Sequence, residues 1–456
     1  MGEPLIEDLV GVAGCPGCKA LGALYRKLEA RVADLEDRLN ANSSNSSKAP
    51  SSEPFAPRYP PKKPTGGKPG GQKGHPGHHR TLLPVSAVDQ VVAYRPTVCV
   101  HCRQRLDEDS PMMLQRRHQV TELPPVAVTV VEHQSYACTC RGCGQKTTEP
   151  IPPELTRSCI GPRLSAAACY LSARVHGSRR AVEEVLTDLL GANLSLGKVS
   201  NIEKEMTEAL GDAYARIQRQ VRKAPAKNVD ETGWKRAGRW LWTAATPDAA
   251  LFHIDRGRNW HGLQNLLGRK VQGFITSDRC GLYERLKANR RAICWAHLKR
   301  DFQRFVDRGG AGQSLGEEGL AITRRLFDVW HRFKQGAIDR RTLRVEVVPL
   351  RRRMQTLINS ALNCGMKKAR HFARNLKRVR RALWTFARQE GVEPTNNHAE
   401  RMLRPGVLWR KTSFGSHSQR GCRYAERMMT IIQTMKLQQT HIIDFLTKTL
   451  QTHRAA

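Results

Sequence analysis

The chain has 456 residues, with 76 Lys and Arg against 41 Asp and Glu, for a formal net charge of +35. That length accommodates two or three domains with buried cores, and a charge excess spread along the chain points to nucleic acid rather than a membrane, whose binders gather charge on one amphipathic helix. No apolar run approaches the ~20 residues that span a bilayer and no secretory h-region opens the chain, so its 13 cysteines are expected in a reducing cytoplasm, as thiols or metal ligands rather than disulfides.

The first element, within residues 1–40, is a helix carrying the stripe Leu21, Leu24, Leu28, Val32, Leu35 and Leu39. Steps of three and four place these on one face. A helix this short needs a partner, and the stripe suits a coiled coil and packing on the body of the protein equally. Cys15 and Cys18, just before it, form a lone CxxC with no assigned role. Residues 41–84 read as a disordered basic Pro/Gly linker, too poor in large apolar residues to fold. The tract fits an arm lying along DNA and a plain spacer equally.

Residues 85–155 read as a small β-rich module. Cys99-Val-His-Cys102 and Cys140-Arg-Gly-Cys143 supply two pairs of thiols, each presented by one tight turn. Zinc favours four such soft ligands in a tetrahedron, and a closed site of that kind is structural. Cys138 and His101 are alternative ligands. The alternating run Val126–Val131 predicts a strand.

Residues 156–224 read as helical. A helix over Arg179–Leu190, a break at Gly191 and a second helix capped by Ser195 outline a helix-turn-helix. Lys198 and Asn201 would then sit in the first turns of a recognition helix, where side chains reach base edges. An ordinary αα-hairpin fits the same pattern.

From residue 225 strands take over. Lys227–Asp230, Trp240–Ala245 and Ala250–Ile254 form a meander, followed by a helix, the strand Gly273–Asp278, a helix at 282–288 and a strand at 291–295. In that ribonuclease-H-like order the first and fourth strands are neighbours, bringing Asp230 beside Asp278. Adjacent carboxylates repel unless a cation lies between them, and magnesium or manganese suits hard oxygen ligands. Glu400, on a helix with Arg404, is the expected third acid of a two-ion site. A helical insertion at about 313–390 separates it from Asp278. Within the insertion Lys367, Arg370, Arg374, Arg378 and Arg381 fall on one face, a stripe suited to phosphate contacts, with a solvated face as the alternative. Arg404, Arg410 and Lys411 are further candidates to hold a DNA strand by its phosphates. Residues 426–456 read as a C-terminal helix packed on this core. The fold expected is multidomain α+β, with an α/β catalytic domain over 225–425.

Taken in order, several motifs resemble insertion-sequence transposases of the IS-sixty-six type. They are the leucine stripe ending in Asn-Ser-Ser-Asn-Ser-Ser-Lys, the Gly-Gly-x-Pro-Gly-Gly-Gln-x-Gly-His tract and the two cysteine pairs. Val-Asp-Glu-Thr-Gly, Cys294-Trp-Ala-His297-Leu-Lys-Arg and Asn-Asn-His-Ala-Glu-Arg follow. The resemblance implies a DDE transposase with Asp230, Asp278 and Glu400 as metal ligands. It implies binding of double-stranded DNA at terminal inverted repeats, association with the bacterial nucleoid, a homo-oligomer, and often small accessory proteins. The segment after Asp278 departs from the family, reading Arg279-Cys280-Gly281 where Gly-Tyr is usual. A non-catalytic DNA-binding derivative of such a transposase is the alternative.

Overall fold

A computed structural model describes residues 16–42, 44–46, 81–107, 109, 111–124, 126–234, 238–413 and 415–456. Most of the expected linker, and Cys15, lie outside them. The chain divides into two compact units, Phe55–Val128 and the remainder, Met1–Pro54 with Thr129–Ala456.

In the smaller unit the Cys99 knuckle is closed by backbone hydrogen bonds from Cys99 N–H to the Gln104 carbonyl and from Arg103 N–H to the Cys99 carbonyl. A bridge between Val98 and Arg105 seals its base. In the larger unit the Cys140 knuckle repeats the scheme. Cys140 N–H reaches the Gln145 carbonyl and Gly144 N–H the Cys140 carbonyl. Its base is a short ladder of β1 (Ala137–Thr139) and β2 (Lys146–Thr148). Arg103 and Gly144, four residues after the first cysteine of each pair, both have positive φ, 63° and 70°. The repeat Cys-x-x-Cys-x-Gln thus encodes one turn twice. The β-rich expectation is corrected: among the described residues Val126–Val131 joins no ladder, and its valines at 126, 128, 130 and 131 are exposed. Alternation signals a half-buried strand only where another strand or layer covers one face.

The rest of the larger unit begins with α1 (Pro16–Leu39). After the short α2 (Pro153–Thr156) come α3 (Pro162–Arg174), α4 (Arg179–Leu190), α5 (Leu196–Ala209) and α6 (Gly211–Lys223). Gly191, at φ 64°, ends α4 in the left-handed conformation that glycine adopts at least cost, and the Ser195 side chain caps α5 by accepting from Lys198 N–H.

A five-stranded mixed sheet follows, built of β3 (Ala226–Gly233), β4 (Trp240–Ala245), β5 (Ala250–Asp255), β6 (Phe274–Ser277) and β7 (Arg291–Ile293), in the order β5-β4-β3-β6-β7. The first three strands are antiparallel; β3–β6 and β6–β7 are parallel. Helix α7 (Trp260–Leu267) links β5 to β6. The helix expected at 282–288 is instead two 3-10 turns, Gly281–Arg285 and Ala288–Arg290.

Helices α8 (Trp295–Arg308), α9 (Gln313–Lys334), α10 (Arg340–Leu362), α11 (Lys367–Val379) and α12 (Thr385–Arg388) gather around their own apolar core of Phe302, Leu326, Met354, Phe372 and Trp384. A second core joins α3–α6, the sheet and the closing helices through Ile202, Met206, Trp242, Phe252 and Met428. Helices α3–α6 and the sheet therefore share one interior. The chain ends with α13 (Asn397–Ser413), α14 (Gln419–Leu437) and α15 (Ile442–Ala455). The expected single C-terminal helix is two, parted at Gln439, whose φ is 54°.

Candidate active site

The parallel pairing of β3 with β6 sets Asn228 opposite Thr276. Two residues further along each chain stand Asp230, on β3, and Asp278, just past the end of β6. Asp278 is oriented by its own turn, its Oδ1 accepting from Cys280 N–H at 2.9 Å. Glu400 lies in the first turn of α13, and the segment before that helix is tied down on two sides. Asn228 Nδ2 donates to the Thr395 carbonyl at 3.0 Å and Asn396 Nδ2 to the Val229 carbonyl at 2.9 Å. The strand that carries Asp230 thus also anchors the start of the Glu400 helix. Further along, Gly406 lets α13 press onto β4, since a Cβ there would come within 2.4 Å of Leu241.

Electrostatics report the same convergence. Burial, followed by the negative charges of Glu231, Glu400 and Asp278, holds the Asp230 carboxyl well above the usual carboxylate range. Burial also raises Glu400, with Arg300 opposing and Asp278 reinforcing the shift. Among the described residues, however, the set of three ligating atoms within 4.8 Å of one another is Cys294, His297 and Glu400, rather than the three acids.

A fourth carboxylate, Glu231, has no role legible in the sequence. It points to the other side of β3 from Asp230 and is buried between Arg258, at 2.8 Å, and the hydroxyl of the fully buried Tyr283. Arg279 ties the Asp278 turn to the helical insertion. Its guanidinium pairs with Asp301 at 2.6 Å and lies 4.8 Å from the centre of the Phe372 ring. That gives the departure after Asp278 a structural occupation.

The expected DNA-contacting cations divide into two groups. Arg374, Arg404 and Lys411 are exposed, as is Asn201. Lys198 is half-buried, 3.5 Å from Ser158 Oγ. Arg370 and Arg410 differ from the expectation of free cations. Arg370 donates to the carbonyls of Cys364 and Gly365, closing the turn before α11. Arg410 donates to Thr232 Oγ1 at 2.7 Å and to the Gly233 carbonyl, holding the end of β3. Helix ends and strand ends leave carbonyls that a guanidinium satisfies well.

At each knuckle the first thiol is pulled below its ordinary range. Cys99 is acted on by the backbone N–H groups of Cys102 and His101, and Cys140 by those of Cys143 and Gly142. Cys99 and Cys140 are thus each held by turn N–H groups that favour the charged form of the sulfur.

The family described as "Transposase IS66 family" matches residues 157–424. Residues 3–81 match a separate "Family of unknown function (DUF6444)". Two proteins of Sinorhizobium fredii, both described as uncharacterized, are similar to the chain. The first, y4hP, is 24% identical over 397 residues, 76% of this chain and 69% of that protein. The second, y4qI, is 26% identical over 247 residues, 46% of this chain and 43% of that protein.

Proposed function

The chain belongs to the IS66 transposase family, and from that premise we propose that it binds the terminal inverted repeats of an insertion sequence and catalyses metal-dependent DNA strand cleavage and strand transfer. The observation that supports this reading is the parallel register of β3 and β6 combined with the Asn396 clamp, which ties the start of the Glu400 helix to the strand that carries Asp230.

Asp230, Asp278 and Glu400 would hold the divalent ions. The fit rests on the donor set, three carboxylates of which Asp230 feels the charge of both others, and on Glu400 Oε1, a buried oxygen with no hydrogen-bond partner. Magnesium or manganese bound there supplies positive charge that offsets the mutual repulsion and activates a water or a 3′-hydroxyl. The protein's own part is placement. Tyr283 and Arg258 engage Glu231 and keep it out of the acid set. Arg410 fixes the β3 end, while Arg404 and Lys411 on the same helix stay exposed to take the phosphates of the strand. Cys99 with Cys102 would supply one pair of soft thiol ligands to a zinc-class ion, and Cys140 with Cys143 would supply another pair of the same kind. A helix-turn-helix of α4 and α5 suits base reading.

The test is strand cleavage by the purified protein with magnesium and DNA carrying the element's ends. Asp230→Asn and Glu400→Gln are expected to reduce cleavage to background. Because Asp230 is a carboxyl crowded by burial and like charge, Asp230→Asn should melt no lower than the parent without added metal. Cleavage by Asp230→Asn at the parental rate would overturn the proposal.

A further inference from the structure

Beside the three acids lies a second group of potential ligands with a different chemistry. Cys294 follows β7 and stands at the N-cap of α8; His297 is in the first turn of that helix; Glu400 faces them from α13. One ligand atom from each falls within 4.8 Å of the other two. His297 Nδ1 lies 3.6 Å from Glu400 Oε1, and both atoms are shielded from solvent without a hydrogen-bond partner. That separation is too long for an N–H···O bond. It approximates the spacing of two ligands on a four-coordinate ion with bonds of about 2.0–2.3 Å. Cys294 is fully buried, and its Sγ accepts the Asn396 N–H at 3.2 Å. Asn396 is itself locked to β3 through the Val229 carbonyl. A backbone donor aimed at sulfur, held by a second anchored bond, is the kind of outer shell that orients a metal ligand.

We propose that Cys294 Sγ, His297 Nδ1 and a carboxylate oxygen of Glu400 form a site for a borderline divalent ion of the zinc class, sharing Glu400 with the hard-ion acid set. Thiolate and imidazole select such an ion over magnesium, which favours oxygen throughout. Binding breaks the Sγ–H bond, forms an Sγ–metal bond and releases one proton to solvent. Three protein ligands leave a fourth position open. The functional consequence rests on the reading above: an ion held here draws Glu400 away from Asp230 and Asp278, so zinc opposes magnesium-dependent cleavage.

The probe is zinc itself, counted on the full-length protein after dialysis, with cobalt(II) as its spectroscopic substitute. Cys294→Ser and His297→Gln should each lose about one zinc per chain, and Cys294→Ser should lose the matching share of the thiolate-to-cobalt absorption. Cys99→Ser should remove a different equivalent and leave this one in place. Should Cys294→Ser fail to fold, as judged by circular dichroism, His297→Gln carries the test, because the His297 side chain keeps some exposure where Cys294 is fully buried. Unchanged zinc content in folded His297→Gln would overturn the proposal. Loss of the equivalent in a protein whose parent shows no magnesium-dependent cleavage would leave the site standing and sink the transposase reading instead.

Discussion

Two side chains do unlike work on either face of one residue pair in β3. Asp230 and its neighbour Glu231 point to opposite sides of the strand, as successive strand residues must. Glu231 accepts a hydrogen bond from the Tyr283 hydroxyl and pairs with the Arg258 guanidinium. Burial raises its carboxyl, the Asp278 charge adds to that, and these two partners pull the other way. Tyr283→Phe removes one partner from a buried carboxylate and should cost about 1–3 kcal/mol, read by chemical denaturation. A fall of less than a few tenths would mean that Arg258 alone suffices. Nothing local in the sequence discloses this role, since Tyr283 is 52 residues away. Asp278, by contrast, is legible from its position just after a strand-like run, whereas Asp230, expected at a strand end, stands within β3, which runs on to Gly233.

A second residue-scale prediction concerns pH. His253 lies between Asp255, at 3.4 Å, and Glu426, at 3.1 Å. Although burial works against its charged form, the two carboxylates raise His253 from its ordinary 6.5 to about 9. Asp255 is depressed, first by its bond to His253. The raised histidine contributes stability that is fully present below about 6.5 and lost as pH rises through about 9. The depressed aspartate contributes above the ordinary carboxylate range and fades only as pH falls through its folded value. Melting temperatures of the parent and His253→Gln should therefore differ most near pH 6 and converge above about 9. A difference that grows with alkalinity would contradict the assignment.

The same arrangement recurs at the scale of an element. β5 is an edge strand, and its outward N–H groups need partners or invite another chain. Helix α14 supplies them: Glu426 Oε1 accepts from Ile254 N–H at 2.6 Å, Thr430 Oγ1 from Phe252 N–H at 3.0 Å and Thr434 Oγ1 from Ala250 N–H at 3.1 Å. Helical steps of four run alongside strand steps of two, so each turn of α14 covers one pair of β5 residues. Thr430→Val and Thr434→Val keep the shape and lose the acceptor, and each should cost about 1–3 kcal/mol, measured by urea denaturation. Neutral substitutions would show that the edge is satisfied otherwise. The helix itself is legible from its apolar pattern. Its Glu-Thr-Thr stripe is not, because its purpose depends on a strand some 180 residues earlier, a separation given by Phe252 and Thr430 at 178. The helices of the insertion were legible for the same reason that Val126–Val131 misled. Periodicity reports a face that wants cover, and only the tertiary fold decides whether cover arrives.

Across the whole molecule, charge and apolar surface meet at α1. Asp37 takes Arg304 at 3.0 Å, Arg308 at 3.5 Å and Lys368 at 2.8 Å, and Asp34 pairs with the same Lys368 at 2.8 Å. The acidic side of the helix is therefore engaged by the basic helical insertion. The leucine stripe is turned away, with Leu21, Leu24 and Leu28 each more than 60% exposed and Val32, Leu35 and Leu39 exposed beside them. Of the two fates the stripe allowed, packing on the body is taken by the opposite face, and self-association of the apolar one is the outcome to test. Its spacing of three, four and four residues repeats after eleven, the period of a straight or slightly right-handed supercoil. A chain carrying +35 resists self-association at low ionic strength and does so less as salt screens it. Sedimentation at moderate salt should accordingly find a dimer or higher oligomer that dissociates to monomer in Leu24→Glu/Leu28→Glu. Because those two residues lie on the face away from Asp34 and Asp37, the variant should keep the parental melting temperature of the sheet. An unchanged oligomer would assign self-association to another surface, and a monomeric parent would leave the stripe without a partner copy.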